Sequence, residues 1–223
     1  ISKESGLSTF RDPDGLWTQY PIEEVATIEA LHRNLPLVLE FYNIRRRKVM
    51  EARPNPAHYA IAKLQKYHNV AVVTQNVDDL HERAGSLNVI HLHGKITQNK
   101  CFCPTPHIYD VKIEEPPSSP HVVDIKPGDK CENNSQLRHN IVLFGEYVEN
   151  MDIAIGLIRD ADIFIVIGTS LQVFPAASLI EYPPHHAKCY CIDPSDMVWL
   201  PPRFTHIKKS ASEGVPELVE KII

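Results

Sequence analysis

The stretch "NVAVVTQNVDDLHERAG", residues 69–85, decides how the rest of the chain is read. Val70 to Val73 form an apolar run without alternation, the pattern of a strand covered on both faces. Leu80 and Ala84 then recur at helical spacing, and Gly85 stands where helix C-termini favour glycine. The prediction is a core strand, a polar loop and a short helix over 78–84. In parallel sheets, ligands bind beyond the carboxyl ends of the strands. Gln75, Asn76 and Asp78 lie at that end, and "HLHG" (91–94) follows shortly after.

Outward from this unit the pattern repeats. "NVIHLHG", "NIVLFGE", "DIFIVIG" and "KCYCI" read as further strands, the last two with apolar residues in succession. Helices are expected over 22–34, after Pro36, from Asn55 as N-cap with Pro56 in the first turn, over "NMDIAIGLIRDA", through Ile180 and near "VPELVEKII". Residues 98–138 are rich in Pro, Ser, Asn and Lys and read as a loop-rich insertion. Strands alternating with helices predict an α/β fold, with a parallel sheet covered by helices on both faces. The polar clusters "TQNVD", "HLHG", "FGE" and "GTSLQV" all fall at strand ends.

Composition narrows the classes. The 223 residues carry a net charge of −5, with 43% hydrophobic and 23% charged residues. That argues against a general binder of nucleic acid or membrane surfaces. The longest apolar runs are "IFIVI" and "VAVV", far short of the roughly 20 residues a bilayer span needs. Five cysteines make a poor disulfide framework, and no signal-peptide pattern is visible, so an intracellular reducing compartment is expected. Ile1 opens in mid-pattern, with a loop and no strand before it, so further residues upstream are expected.

Several residues carry more than one reading. Gly168, Thr169 and Ser170 follow a strand and offer a turn, hydroxyls and backbone N–H groups suited to phosphate or ribose; the same junction is also a common structural device. His91 and His93 are two apart on one strand face: metal ligands, structural histidines, or, for His93, a general base. Cys101, Cys103 and Cys131 sit in the insertion in a C-x-C arrangement without a second C-x-x-C, so a partial zinc set is expected, not a four-thiolate site. Cys189 and Cys191 read as core or near-core residues. Tyr42 and Arg45 share a helix face, either as a grip for a carboxylate or as a solvated basic surface.

Taken in order, "SKESGLSTFRDPDGLW", "TQNVDDLHERAG", "HLHG", "FGE" and "GTSLQVFPAA" resemble the sirtuin family of NAD-dependent protein-lysine deacylases. "FYNIRRR" resembles the branch that removes succinyl and malonyl groups. The resemblance implies a Rossmann-like NAD-binding domain (residues 1–20, 52–97 and 139–223) and a small domain from two insertions (21–51 and 98–138). One insertion is helical and the other a degenerate zinc module. It implies that Ser5, Phe10 and Arg11 fold over the cofactor, that Gln75, Asn76 and Asp78 hold nicotinamide and its ribose, and that His93 is the base acting on a ribose hydroxyl. It places Gly168, Thr169, Ser170, Cys191 and Ala211 on the adenosine side. The backbone around Phe144, Gly145 and Glu146 would pair with the substrate peptide, and Tyr42 and Arg45 would bind an acyl carboxylate. The implied partners are acylated lysines of proteins, and the implied products are lysine, nicotinamide and O-acyl-ADP-ribose. The alternatives are a catalytically weak NAD- or ADP-ribose-binding protein and a protein ADP-ribosyltransferase.

Three departures from the family pattern stand out. The family carries a first strand and "GAG" just before the position of Ile1. Its "RPHVVWFGE" reads "RHNIVLFGE" here. A late-strand asparagine that contacts ribose is replaced by Cys191.

Overall fold

The apolar strand pattern resolves into two parallel groups. The computed structural model describes residues 1–8, 20–111, 113–114, 121–197 and 199–223. Strand β1 (Val72–Thr74) pairs in parallel with β2 (Val89–His91), ending at the register Thr74↔His91. Strands β8 (Ile163–Ile167), β9 (Lys188–Ile192) and β10 (Phe204–Ile207) form a second parallel group in the order β10-β9-β8. Side chains on these strands alternate between two cores. Ile165, Ile167, Tyr190 and Ile192 pack with the helices Pro56–Leu64 and Ala211–Ile222. Phe164, Val166, Cys189 and Cys191 face the other way. That is the two-sided cover the continuous apolar runs predict.

The seven α-helices among the described residues are α1 (Ile22–Val25), α2 (Ile28–Arg33), α3 (Leu35–Glu51), α4 (Pro56–Leu64), α5 (Leu80–Arg83), α6 (Met151–Arg159) and α7 (Ala211–Ile222). None is long and apolar enough to cross a membrane. The start of α4 is built as the sequence implies. Asn55 Oδ1 accepts from the Ala57 N–H, and the Asn55 N–H donates to His58 Nδ1. Such caps contribute about 1 kcal/mol. Asn55 does more than cap, because its Nδ2 donates to the Ile1 carbonyl and to Ser5 Oγ, both at 3.0 Å. The 3-10 turn Ser2–Ser5 is thereby tied to the helix.

Three sequence expectations shift. Residues 98–138 are not all loop. Strand β3 (Gly94–Cys101) runs into them, antiparallel to β4 (Ile108–Asp110) and to β7 (Leu137–Ile141), and the pair β5 (Ile113–Glu114) and β6 (His121–Val122) follows. "GKITQNKC" lacks a clean apolar period because only Ile96 and Cys101 in it are buried. The strand expected over "NIVLFGE" lies earlier, over β7, because backbone pairing with β3 begins at Leu137. The helix expected through Ile180 is a 3-10 turn, Ala176–Glu181. Strand β10 was hidden by its shortness, and the start of α7 by Pro216, which sits inside the helix and withholds one N–H.

The helix α3 joins α1, α2, Ile96, Ile141 and Leu143 in a core of its own. Its arginines have separate jobs. Arg46 is fully buried; its Nε–H donates to the Ile96 carbonyl at 2.7 Å, and its second amino group donates to Asn99 Oδ1 at 2.6 Å. Asn43 grips the Ile125 backbone at both ends, 2.8 Å and 3.0 Å, and accepts from His139 Nε2–H at 3.0 Å. His139, where the family carries proline, thus has a structural role.

His58 and His81 pack edge to face between α4 and α5, ring centres 4.8 Å apart. Burial, then the mutual repulsion of two cations, holds His58 down to about 3. Burial also holds His81 down to about 4. Both stay neutral in the folded chain while the unfolded chain protonates them below the ordinary 6.5. Their contribution to stability is full above pH 6.5 and declines as pH falls towards those lowered values. Thermal melts from about pH 7 to about pH 5, above most carboxylate titrations, should show a falling Tm. The fall should be shallower in His81→Gln, and a Tm independent of pH in this window would contradict the assignment.

Candidate functional site

The site begins where the β1–β2 ladder stops. After the Leu92 N–H donates to the Thr74 carbonyl at 2.9 Å, side chains take over the pairing. His91 Nδ1–H donates to the Asn76 carbonyl at 3.2 Å, and His93 Nδ1–H donates to the Gln75 carbonyl at 3.0 Å. A carbonyl can only accept, so each ring carries its proton on Nδ1. The two histidines then differ. Nε2 of His91 lies 3.0 Å from Glu82 Oε1, whereas Nε2 of His93 keeps its lone pair. Burial lowers the pKa of His93 below 6.5, opposed by its bond to Gln75, so the ring is neutral at neutral pH. A half-buried neutral imidazole with its tautomer set and Nε2 unprotonated is a general base in waiting.

Gly94 allows that position. Its φ is +78°, and an added Cβ would stand 2.3 Å from the Asn140 carbonyl oxygen. The next residue can therefore enter β3 directly beneath His93, whose carbonyl accepts from the Val142 N–H at 2.9 Å.

The polar loop converges on the same place. Thr74 Oγ1 accepts from the Asn76 N–H at 3.0 Å, and Asn76 Nδ2 donates to Ser2 Oγ at 2.8 Å. Asp78 is 4% exposed, its Oδ1 accepts from the Leu80 N–H at 3.2 Å, and burial raises its pKa against the pull of Ser2. Gln75 Nε2 lies 3.5 Å from Thr169 Oγ1, linking this loop to the turn after β8. There Gly168 takes a φ of +57°, and a Cβ would meet the Ile1 nitrogen at 2.7 Å. Gly168 and Ser170 are exposed. One rim therefore gathers Ser5, Gln75, Asn76, Asp78, His93 and the 168–170 turn. Ser2 was not singled out from the sequence, although it lies in the same short segment as Ser5. Phe10 and Arg11 lie outside the described residues. Ala211 opens α7 and is buried. Cys191 is fully buried among Val166, Cys189 and Phe204, so its thiol faces core and is closed to a ribose as the chain stands.

On the adjoining face, Phe144 is half exposed but its backbone is in use. Its N–H donates to the Ala26 carbonyl at 2.9 Å and its carbonyl accepts from the Ile28 N–H at 3.0 Å. An added peptide strand would have to pair on other backbone groups, such as those near Gly145. Glu146 pairs with Arg138, and its Oε2 accepts from the Leu143 N–H at 2.8 Å, so its side chain braces the turn. Tyr42 is buried against Phe41 and His139, ring centres 4.8 Å and 5.7 Å away. Burial pushes its phenol up, so it keeps its proton. Arg45 is half-buried; burial lowers it to about 10, countered by Tyr42 and Asp78, so it stays cationic at neutral pH. Both groups can only donate strongly to an anion.

A Sir2 family profile matches residues 1–175. The chain is 46% identical over its whole length to an NAD-dependent protein deacylase of Bacteroides thetaiotaomicron, covering 94% of that protein. It is 44% identical, again over its whole length, to one of Helicobacter pylori, covering 93%. The chain belongs to the Sir2 family. Among solved structures it matches a Sir2 homologue bound to ADP-ribose (TM-score 0.88, 37% identity, all of this chain and 88% of that one). It also matches a Sir2 homologue–NAD complex (TM-score 0.86, 37% identity, all of this chain and 85% of that one). The sirtuin resemblance and the α/β fold read from the motifs hold.

The cysteines of this Sir2 protein fall as expected in kind. Cys101, Cys103 and Cys131 bring their sulfurs within 4.8 Å of one another, with 3.6 Å between Cys103 and Cys131. Sulfurs around a tetrahedral zinc at about 2.3 Å stand roughly 3.8 Å apart. The trio thus fits three corners of a structural zinc, and among the described residues no fourth side chain joins it. Metal analysis should find about one zinc per chain, lost in Cys131→Ser together with several degrees of Tm. Metal-free protein whose Tm ignores a chelator would contradict this fit.

Proposed function

We propose that this Sir2 protein is an NAD-dependent protein-lysine deacylase that accepts succinyl and malonyl as well as acetyl groups. The observation that carries the reading is His93, neutral, half-buried and open at Nε2, on the rim that also gathers Asn76 and Asp78. Family membership and deacylase relatives at 40–47% identity support the same reaction.

Bound NAD supplies an electrophilic ribose carbon whose leaving group is nicotinamide. The chain's own residues supply placement and one proton acceptor. Asn76 and Asp78 offer an amide and a buried carboxyl to hold the departing amide and the cationic sugar. His93 Nε2 then receives a proton from a ribose hydroxyl, while its Nδ1–H stays on the Gln75 carbonyl. With one water consumed, acyl-lysine and NAD would give free lysine, nicotinamide and O-acyl-ADP-ribose. Because burial lowers the His93 pKa below 6.5, the base keeps its lone pair down to mildly acidic pH.

Tyr42 and Arg45 sit three residues apart on α3 as a phenol donor and a guanidinium, a pairing suited to a carboxylate at the end of an acyl chain. Acylated lysines of proteins are the partners. An intracellular reducing compartment fits the five free cysteines.

With NAD and acyl-lysine peptides, the purified protein should release nicotinamide. His93→Ala should lower turnover by about 10²- to 10⁴-fold with NAD still bound. No release from any acylated peptide would overturn the activity. Arg45→Met should cut desuccinylation by about 10- to 100-fold, the worth of a charge-assisted hydrogen bond, and spare deacetylation. Equal losses on both substrates would overturn the acyl assignment alone.

A further inference from the structure

We propose that Glu82 and His91 act as a positioning brace for Asn76, fixing the loop residue that faces nicotinamide. The proposal rests on the reading of Asn76 as a nicotinamide-binding residue. Asn76 is pinned at both backbone ends. Its N–H donates to Thr74 Oγ1 at 3.0 Å, and its carbonyl accepts from His91 Nδ1–H at 3.2 Å. The side chain then has only its own two torsions left to set. His91 is itself held at three points. Its Nδ1–H is on the Asn76 carbonyl, its Nε2 lies 3.0 Å from Glu82 Oε1 and its carbonyl accepts from Asn150 Nδ2 at 3.0 Å, with the side chain 8% exposed. Glu82 Oε1 also receives Lys95 Nζ at 2.7 Å.

The arrangement orders the ring. Both imidazole nitrogens face acceptors, so the ring cannot turn over without losing both contacts. Glu82 comes from the short helix α5 that follows the loop, and Lys95 from β3. The brace therefore spans the element before the site and the one after it. His91 and His93 lie two residues apart, take the carbonyls of two consecutive loop residues, and divide the labour. His93 keeps Nε2 for the reaction, and His91 spends Nε2 on Glu82. This accounts for the first histidine of "HLHG", which the reaction itself does not use. Preorganisation of this kind matters because a misplacement of about 1 Å can cost about 10²-fold in rate.

The test separates positioning from mere folding. ADP-ribose lacks nicotinamide, so its affinity reports the rest of the pocket, while inhibition by free nicotinamide reports Asn76. In His91→Leu, the nicotinamide concentration for half-inhibition should rise about 10-fold and kcat fall about 10-fold, the loss of one charge-assisted bond. ADP-ribose affinity should change less than about 2-fold. His91→Asn places an amide N–H at the same two bonds from Cβ as Nδ1–H, so it should recover both values to within about 3-fold. Should His91→Leu not fold, Glu82→Gln, at a part-exposed position, should show the same split on a smaller scale. Unchanged nicotinamide inhibition, a parallel loss of ADP-ribose binding, or no recovery in His91→Asn would each overturn the brace. Asn76→Ala tells the two levels apart. If it leaves nicotinamide inhibition unchanged, the reading of Asn76 has failed. If it weakens inhibition and His91→Leu does not, only the brace has.

Discussion

Everything at the site depends on how a parallel strand pair ends. Backbone pairing between β1 and β2 stops at Thr74 and His91, where a chain would ordinarily turn away and expose its last carbonyls. Here His91 and His93 donate to the carbonyls of Asn76 and Gln75, so the loop keeps a ladder-like register beyond the sheet. A buried carbonyl left unpaired costs about 1–3 kcal/mol. Satisfying two of them with imidazoles stabilises the loop and sets the tautomer of both rings in one arrangement. The proposed base is therefore a by-product of a structural solution: the hydrogen bond that holds the loop also leaves Nε2 of His93 open.

Much of this was legible in the residues, for a physical reason. Continuous apolar runs such as "VAVV" and "IFIVI" exclude a solvent-facing sheet, and polar residues at their carboxyl ends have no structural need to be there. Gln75, Asn76, Asp78 and His93 therefore stood out as polar residues at strand ends, and the sirtuin resemblance attached roles to them. What stayed hidden depends on contacts distant in sequence. Nothing in "HLHG" says which histidine meets an acid, because Glu82 lies nine residues earlier and on another element. Nothing in "QNKCFC" says strand, because β3 is polar on both faces and owes its order to pairing with β7. Cys191 shows the limit in the other direction: placed near ribose by the resemblance alone, it is buried with Val166, Cys189 and Phe204 in the core.

The helix α3 shows one segment doing three jobs through its 3.6-residue period. Asn43 and Arg46 point to the insertion and close it with hydrogen bonds to Ile125, Ile96 and Asn99. Tyr42 packs on Phe41 and His139, and Arg45 lies near enough to Asp78 to feel its charge. Arg47 lies outward, paired with Asp124 and with Glu40 at 3.4 Å. Three consecutive arginines suggest a basic surface, yet the middle one is among the most buried side chains described. Its charge is compatible with burial only because backbone carbonyls, which cannot move away, receive its N–H groups.

The same logic bears on selectivity. Arg45 is partly withdrawn from water, and burial takes free energy from its charged form, which lowers its pKa. Tyr42 and the field of Asp78 return part of it. For the proposed acidic acyl substrates, a terminal carboxylate would set an anion beside a guanidinium whose charged form burial has already weakened, whereas a terminal methyl would offer that charge nothing. Discrimination of this kind belongs to sites built for hydrogen bonding, where the substrate that lacks the matching group is rejected.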